Sequence, residues 1–132
     1  MREFAAVEWD RAERALESAR QLAETDPDSA ASRAYYAAFH ALTALFGLRG
    51  QTFTKHSSLR AALHRDLVQP GLLNKESGKD YDFLMDLRET GDYGGLAQVP
   101  PDSARQAIEK AHAFVAAITA SCPELKGLRR GN

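Results

Sequence analysis

A chain of 132 residues is sized for one domain. Its 44% apolar and 27% charged residues have the balance of a globular protein with a real core. With 17 basic and 18 acidic side chains the net charge is −1, which argues against a strongly basic nucleic-acid binder while leaving room for a local patch.

In chain order, Trp9, Ala12, Leu16, Ala19 and Ala23 recur at three and four and predict a first helix over 3–24. Asp26-Pro27-Asp28 supplies a stop and a new start: Asp26 can cap, and Pro27 suits a first helical turn. The second helix is predicted over 27–46, with Tyr35, Phe39, Leu42 and Phe46 as its apolar stripe and Gly47 as its stop. Thr54 is the predicted cap of a third helix carrying Leu59, Leu63 and Leu67, ended by Pro70-Gly71. A fourth helix begins between Asn74 and Lys79, carries Tyr81, Leu84, Met85 and Arg88, and is predicted to stop at Gly91. Pro100-Pro101 opens a long last helix with Ala104, Ala107, Ile108, Ala111, Phe114, Val115 and Ile118 inward. After Pro123 the chain turns polar, so 123–132 is expected to be a flexible tail of a single domain spanning 1–132.

No stretch alternates convincingly with period two. The expectation is an all-α, mostly antiparallel bundle of four longer helices and one shorter. Its many alanines allow close helix approach but leave little large apolar surface, so one face is expected to bury against a partner subunit. Apolar runs are too short to span a bilayer, and the charged N-terminus MREFAAVEWDRAER lacks a signal-peptide core, so a cytoplasmic protein with no membrane association is expected.

The second helix carries a polar stripe, Arg33, Tyr36, His40 and Thr43, spaced three, four and three. It reads either as a satisfied structural network or as the lining of an interface or pocket. In TKHSSL, Lys55 and His56 lie at a helix start beside hydroxyls, where a capping segment and an anion site are both possible. His64 and His112 read as surface or edge residues, the four histidines lack metal-ligand spacing, and no metal or cofactor is expected. The lone Cys122 reads as a small half-buried residue rather than a nucleophile. In LRETGDYGG, Arg88 suits the negative end of a helix and Asp92 can pair with it. Tyr93 among Gly91, Gly94 and Gly95 either plugs the bundle end or stands where a ligand or partner approaches.

SRAYYAAFHALTALF, then KHSSL, LRETGDY and ARQAIEKAHAFVAAI together resemble HEPN-domain proteins, in particular short single-domain bacterial and archaeal members. The resemblance covers the chain from Trp9 to Ile118. It implies a four- to five-helix up-and-down bundle, usually homodimeric. Many members are metal-independent ribonucleases whose motif is an arginine followed, after four to six residues, by a histidine, two copies meeting across the dimer. Many are encoded beside a minimal nucleotidyltransferase as a toxin–antitoxin pair, and some transferases add AMP to a HEPN tyrosine. Arg88 matches the motif arginine, but Tyr93 stands where the histidine would satisfy the spacing, and Gly95 holds the usual acceptor position. A phenol with a pKa near 10 is a poor base at neutral pH.

The resemblance therefore points first to a homodimeric module partnering a nucleotidyltransferase and binding nucleotide or RNA. Arg33, Tyr36, His40, Lys55, His56 and Asp92 are its candidate binding residues, and Arg88 and Tyr93 its candidate catalytic pair. The alternatives are an active ribonuclease toxin with an Arg-x4-Tyr motif and a structural bundle without catalysis.

Overall fold

The computed structural model describes residues 1–93, 95 and 98–128, apart from the Tyr93 side chain. Five α-helices follow in order: α1 (Arg2–Leu22), α2 (Pro27–Leu48), the short α3 (His56–Ala62), α4 (Lys75–Tyr93) and α5 (Pro101–Ser121). Among the described residues there is no strand, in accord with the all-α expectation. α2 packs on α1, α4 and α5 and is the axis of the bundle. Its alanines 30, 31, 34, 37, 38, 41 and 44 are all at most 1% exposed. Small side chains on several sides let three neighbours approach one backbone, and Tyr35, Leu42 and Phe46, fully buried, fill the space between layers.

The turn into α2 forms as its sequence predicts. Asp26 Oδ1 accepts from the Ser29 amide at 3.2 Å, its Oδ2 accepts from the Ser29 hydroxyl at 2.6 Å, and Pro27 occupies the first turn. At α4 the cap is Asn74, whose Oδ1 accepts from the Ser77 amide at 2.8 Å.

Several sequence expectations are corrected. Gly47 does not end α2, which continues to Leu48; a Cβ at Gly47 would lie 2.8 Å from the Phe4 ring, so the glycine admits α1 rather than stopping α2. Gly91 does not end α4, which runs to Tyr93. A Cβ there would meet the Asp28 backbone carbonyl oxygen at 2.9 Å, so this glycine is where the end of α4 touches the start of α2. Both glycines keep ordinary helical φ; among the described residues the positive-φ glycines are Gly50, Gly71 and Gly95. Thr54 does not cap α3: Lys55 holds that position with no side-chain cap bond. Beyond α3 the helix widens into a π segment, Leu63–Val68, closed by the Gln69 amide on the His64 carbonyl at 2.9 Å.

Pro123–Gly127 forms a 3₁₀ turn whose Leu125 is fully buried, anchoring the end of α5; residues 129–132 lie outside the described residues. Among the described residues, the exposed large apolar side chains are Met1 and Leu72. No helix of the described residues is long and apolar enough to cross a membrane.

The contact at Gly91 makes a prediction. In an exposed helix Gly→Ala is stabilising by about 1 kcal/mol. Gly91→Ala should instead lower stability by about 1–3 kcal/mol, because backbone has to give way. Gly127→Ala, where the added Cβ meets nothing, should leave the melting temperature within a degree or two. Thermal denaturation of the two variants checks this, and equal melting temperatures would refute the close-contact account.

Candidate functional site

The polar stripe of α2 faces a cleft bounded by α1 on one side and by α3 and α4 on the other. Tyr36 is at its centre. Arg33, one turn earlier, lays its guanidinium over the Tyr36 ring, 5.1 Å from the centroid. Arg88 reaches across from α4, and its Nη1 donates to the Tyr36 hydroxyl at 3.1 Å. The same guanidinium lies 5.0 Å from the Tyr35 ring and 5.8 Å from the Tyr36 ring. Arg88 is thus oriented by two aromatic rings and a phenol as well as by a carboxylate. Its Nε is 3.8 Å from Asp92 Oδ2, one turn on.

His56, at the start of α3, stacks on Phe39 at 4.6 Å and on Tyr35 at 5.7 Å. Its Nδ1 is 2.6 Å from the Tyr35 hydroxyl. The Tyr81 hydroxyl donates in turn to Tyr35 across a long 3.5 Å contact. Burial raises the pKa of both phenols, so both keep their protons. Tyr81 donates to the Tyr35 hydroxyl; when Tyr35 donates in turn to His56 Nδ1, the imidazole takes the tautomer with its proton on Nε2. Burial, with Arg88 and His40 as further causes, holds the His56 pKa below its ordinary value. The group is a neutral imidazole at pH 7, and in that tautomer a hydrogen-bond donor through Nε2.

His40 occupies the α1 side of the cleft. Its Nδ1 lies 2.5 Å from Glu8 Oε2, and Glu8 Oε1 accepts from Arg11 at 3.2 Å. Glu8 is only 7% exposed, and a buried carboxylate needs such partners. The His40 ring is 6.0 Å from Tyr36, as is His56. Thr43, the last residue of the stripe, turns back to the Phe39 carbonyl at 2.7 Å.

Of the residues singled out in the sequence, Arg33, Tyr36, His40, His56, Arg88 and Asp92 come together. Lys55 is exposed beside His56. Tyr93 lies on the last turn of α4, and its side chain is outside the described residues. Sequence reasoning missed Tyr35, read as core, and Glu8. The signal for Glu8 was its place on the buried face of α1, three residues after Ala5 and four before Ala12, both fully buried. Elsewhere, His64 Nε2 is 3.0 Å from Asp82, and His112 Nδ1 is 3.0 Å from Arg20 on the surface. Burial raises the Cys122 thiol pKa, the opposite of what a nucleophile needs. Among the described residues no group of three His, Cys, Asp or Glu side chains is placed to hold a metal.

Comparison with known proteins places this architecture. The family model for the HEPN domain matches residues 6–121. A "UPF0332 protein" from Thermotoga maritima is 38% identical over 117 residues, covering 88% of this chain and 89% of that one. "Putative toxin MJ0142" from Methanocaldococcus jannaschii is 25% identical over 107 residues, covering 80% of this chain and 73% of that one. The crystal structure of TT1696 from Thermus thermophilus superposes with a TM-score of 0.76 at 20% identity, covering 90% of this chain and 98% of that one; this likeness is one of fold. The chain belongs to the HEPN domain family.

The depressed His56 pKa sets a pH dependence. An unfolded histidine, with its pKa near 6.5, takes up a proton before the folded one does. The unfolded state therefore binds more protons in that window, and stability rises with pH through it. The contribution is complete above about pH 6.5 and is lost as pH falls towards the folded value. The melting temperature of the wild type should fall on acidification below about pH 6.5, and His56→Gln should flatten that part of the profile. Parallel profiles for the two proteins would exclude His56 as the cause.

Proposed function

We propose that the chain is a HEPN module whose cleft binds the phosphate of a nucleotide or of RNA, that it works as a homodimer, and that it partners a minimal nucleotidyltransferase. One observation carries the binding reading: the Arg88 guanidinium is fixed by Tyr35 and Tyr36 beside a neutral His56. A fixed guanidinium fork with an adjacent N–H donor matches the oxygens of a phosphate, and the half-buried Tyr36 ring offers a base a stacking surface. Family membership supports the partner reading, as does the relative named a toxin.

The second reading is metal-independent RNA cleavage with His56 in place of the missing motif histidine. It calls on the protonated fraction of His56 that the lowered pKa leaves. Water takes the 2′-OH proton as the 2′-oxygen attacks phosphorus, the His56 imidazolium gives a proton to the leaving 5′-oxygen and returns to neutral imidazole, and Arg88 stabilises charge on the phosphorane.

Binding of AMP and of a hexaribonucleotide, measured by calorimetry, tests the first reading. Arg88→Ala should weaken both by tenfold or more, since a charge-assisted phosphate contact contributes about 1.5–3 kcal/mol; no binding by the wild type would overturn it. Incubation with RNA separates the readings. Cleavage by the wild type, lost in both Arg88→Ala and His56→Ala, establishes the second, whereas intact RNA with a tight complex leaves the first. Light scattering of the protein alone and coexpression with a minimal nucleotidyltransferase test the assembly: a strict monomer that never copurifies with the transferase would remove that part.

A further inference from the structure

On the other side of α1 from the cleft the bundle leaves a second recess. α1 and α5 both pack on α2 but meet each other over only a short stretch, and a groove of about 320 Å³ runs between them. Trp9, Glu13, Leu16 and Arg20 line it from α1. They recur at four, three and four and share a helical face about half a turn from Arg11. His112, Val115 and Thr119 line it from α5, at i, i+3 and i+7, and Lys126 of the 3₁₀ turn completes the wall.

Trp9 is the residue that asks for a ligand. It is 4% exposed, and its indole Nε1 is buried with no hydrogen-bond partner among the described residues. A buried donor without an acceptor is costly and uncommon. The groove that Trp9 walls holds further donors. Arg20 Nη2 is 3.0 Å from His112 Nδ1; a guanidinium only donates, so in this contact Nδ1 accepts and the imidazole proton is on Nε2. Thr119 turns its hydroxyl back to the Ala116 carbonyl at 2.9 Å and is spent. Arg20 has Glu17 at 3.8 Å on the surface, and Lys126 has no ion pair among the described residues.

The charges of the wall choose the ligand. Arg20 and Lys126 are positive and Glu13 is the one carboxylate of the lining, a balance that suits a single negative charge and disfavours a dianion. Trp9, Leu16 and Val115 supply an apolar floor, which favours a hydrocarbon body. The volume is that of a small-molecule site. We propose that the α1–α5 groove binds a small monocarboxylic acid with an apolar body. Its carboxylate takes N–H groups from Trp9, Arg20 and Lys126, and its hydrocarbon lies on Leu16 and Val115. No residue of this site belongs to the Arg88 cleft, so the proposal stands apart from the phosphate reading.

Trp9 is the sole tryptophan, so its fluorescence reports the groove directly. Octanoate is the probe, with neutral octanamide and octyl phosphate as comparisons. Octanoate should change the emission saturably, with a Kd below about 1 mM. Octanamide should bind about tenfold or more weakly, and octyl phosphate more weakly than octanoate. Arg20→Gln/Lys126→Gln should weaken octanoate binding by about tenfold or more, and Glu13→Gln should tighten it by about twofold. Trp9→Phe, followed by calorimetry, should bind octanoate about tenfold more weakly. The double variant keeps Trp9 and alters exposed side chains, so it decides the matter even where Trp9→Phe is unstable. No emission change with octanoate, equal affinity for octanamide, or wild-type affinity in the double variant overturns the proposal. Tighter binding of octyl phosphate overturns it by making the ligand a dianion. Wild-type affinity in a folded Trp9→Phe overturns it too, because the unpaired N–H would then take no part. Light scattering that shows self-association lost in the double variant would make the groove a contact between copies and overturn it likewise.

Discussion

Everything in this bundle depends on the closeness with which α2 is wrapped. An α-helix can touch three others only if its side chains are small where they meet, and α2 meets α1, α4 and α5 through a lattice of fully buried alanines. The face left over cannot be apolar without exposing a large patch. It carries Arg33, Tyr36, His40 and Thr43 instead. Wrapping and cleft are thus one constraint seen from two sides. The neighbours that bury the alanines also bring Glu8 and Arg88 to the rim of the polar stripe.

The cleft separates two kinds of electrostatics. On the α1 side a buried carboxylate, Glu8, is satisfied by His40 and Arg11, a structural pairing whose disruption would strand a charge. On the α3–α4 side Arg88 is held chiefly by aromatic faces and a phenol, and His56 by ring stacking and a tyrosine hydroxyl. Contacts of that kind orient a cation, with Asp92 one turn on at 3.8 Å as its carboxylate neighbour.

Much of this was legible in the sequence. The three-and-four recurrence of Trp9, Ala12, Leu16 and Ala19 gave α1 to within two residues at each end, and the Asp26-Pro27 punctuation opened α2 where it forms. The spacing of Arg33, Tyr36 and His40 announced a shared face. Gly47 and Gly91 were misread because glycine in a sequence suggests a backbone turn, while here both sit in ordinary helix and serve to admit a neighbour. That distinction belongs to tertiary packing and leaves no local mark. The π segment at Leu63–Val68 is likewise a product of packing. Tyr35 was hidden by its own success as a core residue: its ring belongs to the interior and only its hydroxyl to the cleft.

That hydroxyl has a further consequence. Tyr81 lies fully buried between α4 and α5, against Phe114, far from any surface a ligand could touch. Yet its hydroxyl reaches Tyr35, whose own hydroxyl lies 2.6 Å from His56 Nδ1. Two phenols therefore carry a polar contact from the deep interior out to the rim, with no helix having to move, and the core anchors an imidazole it does not itself touch.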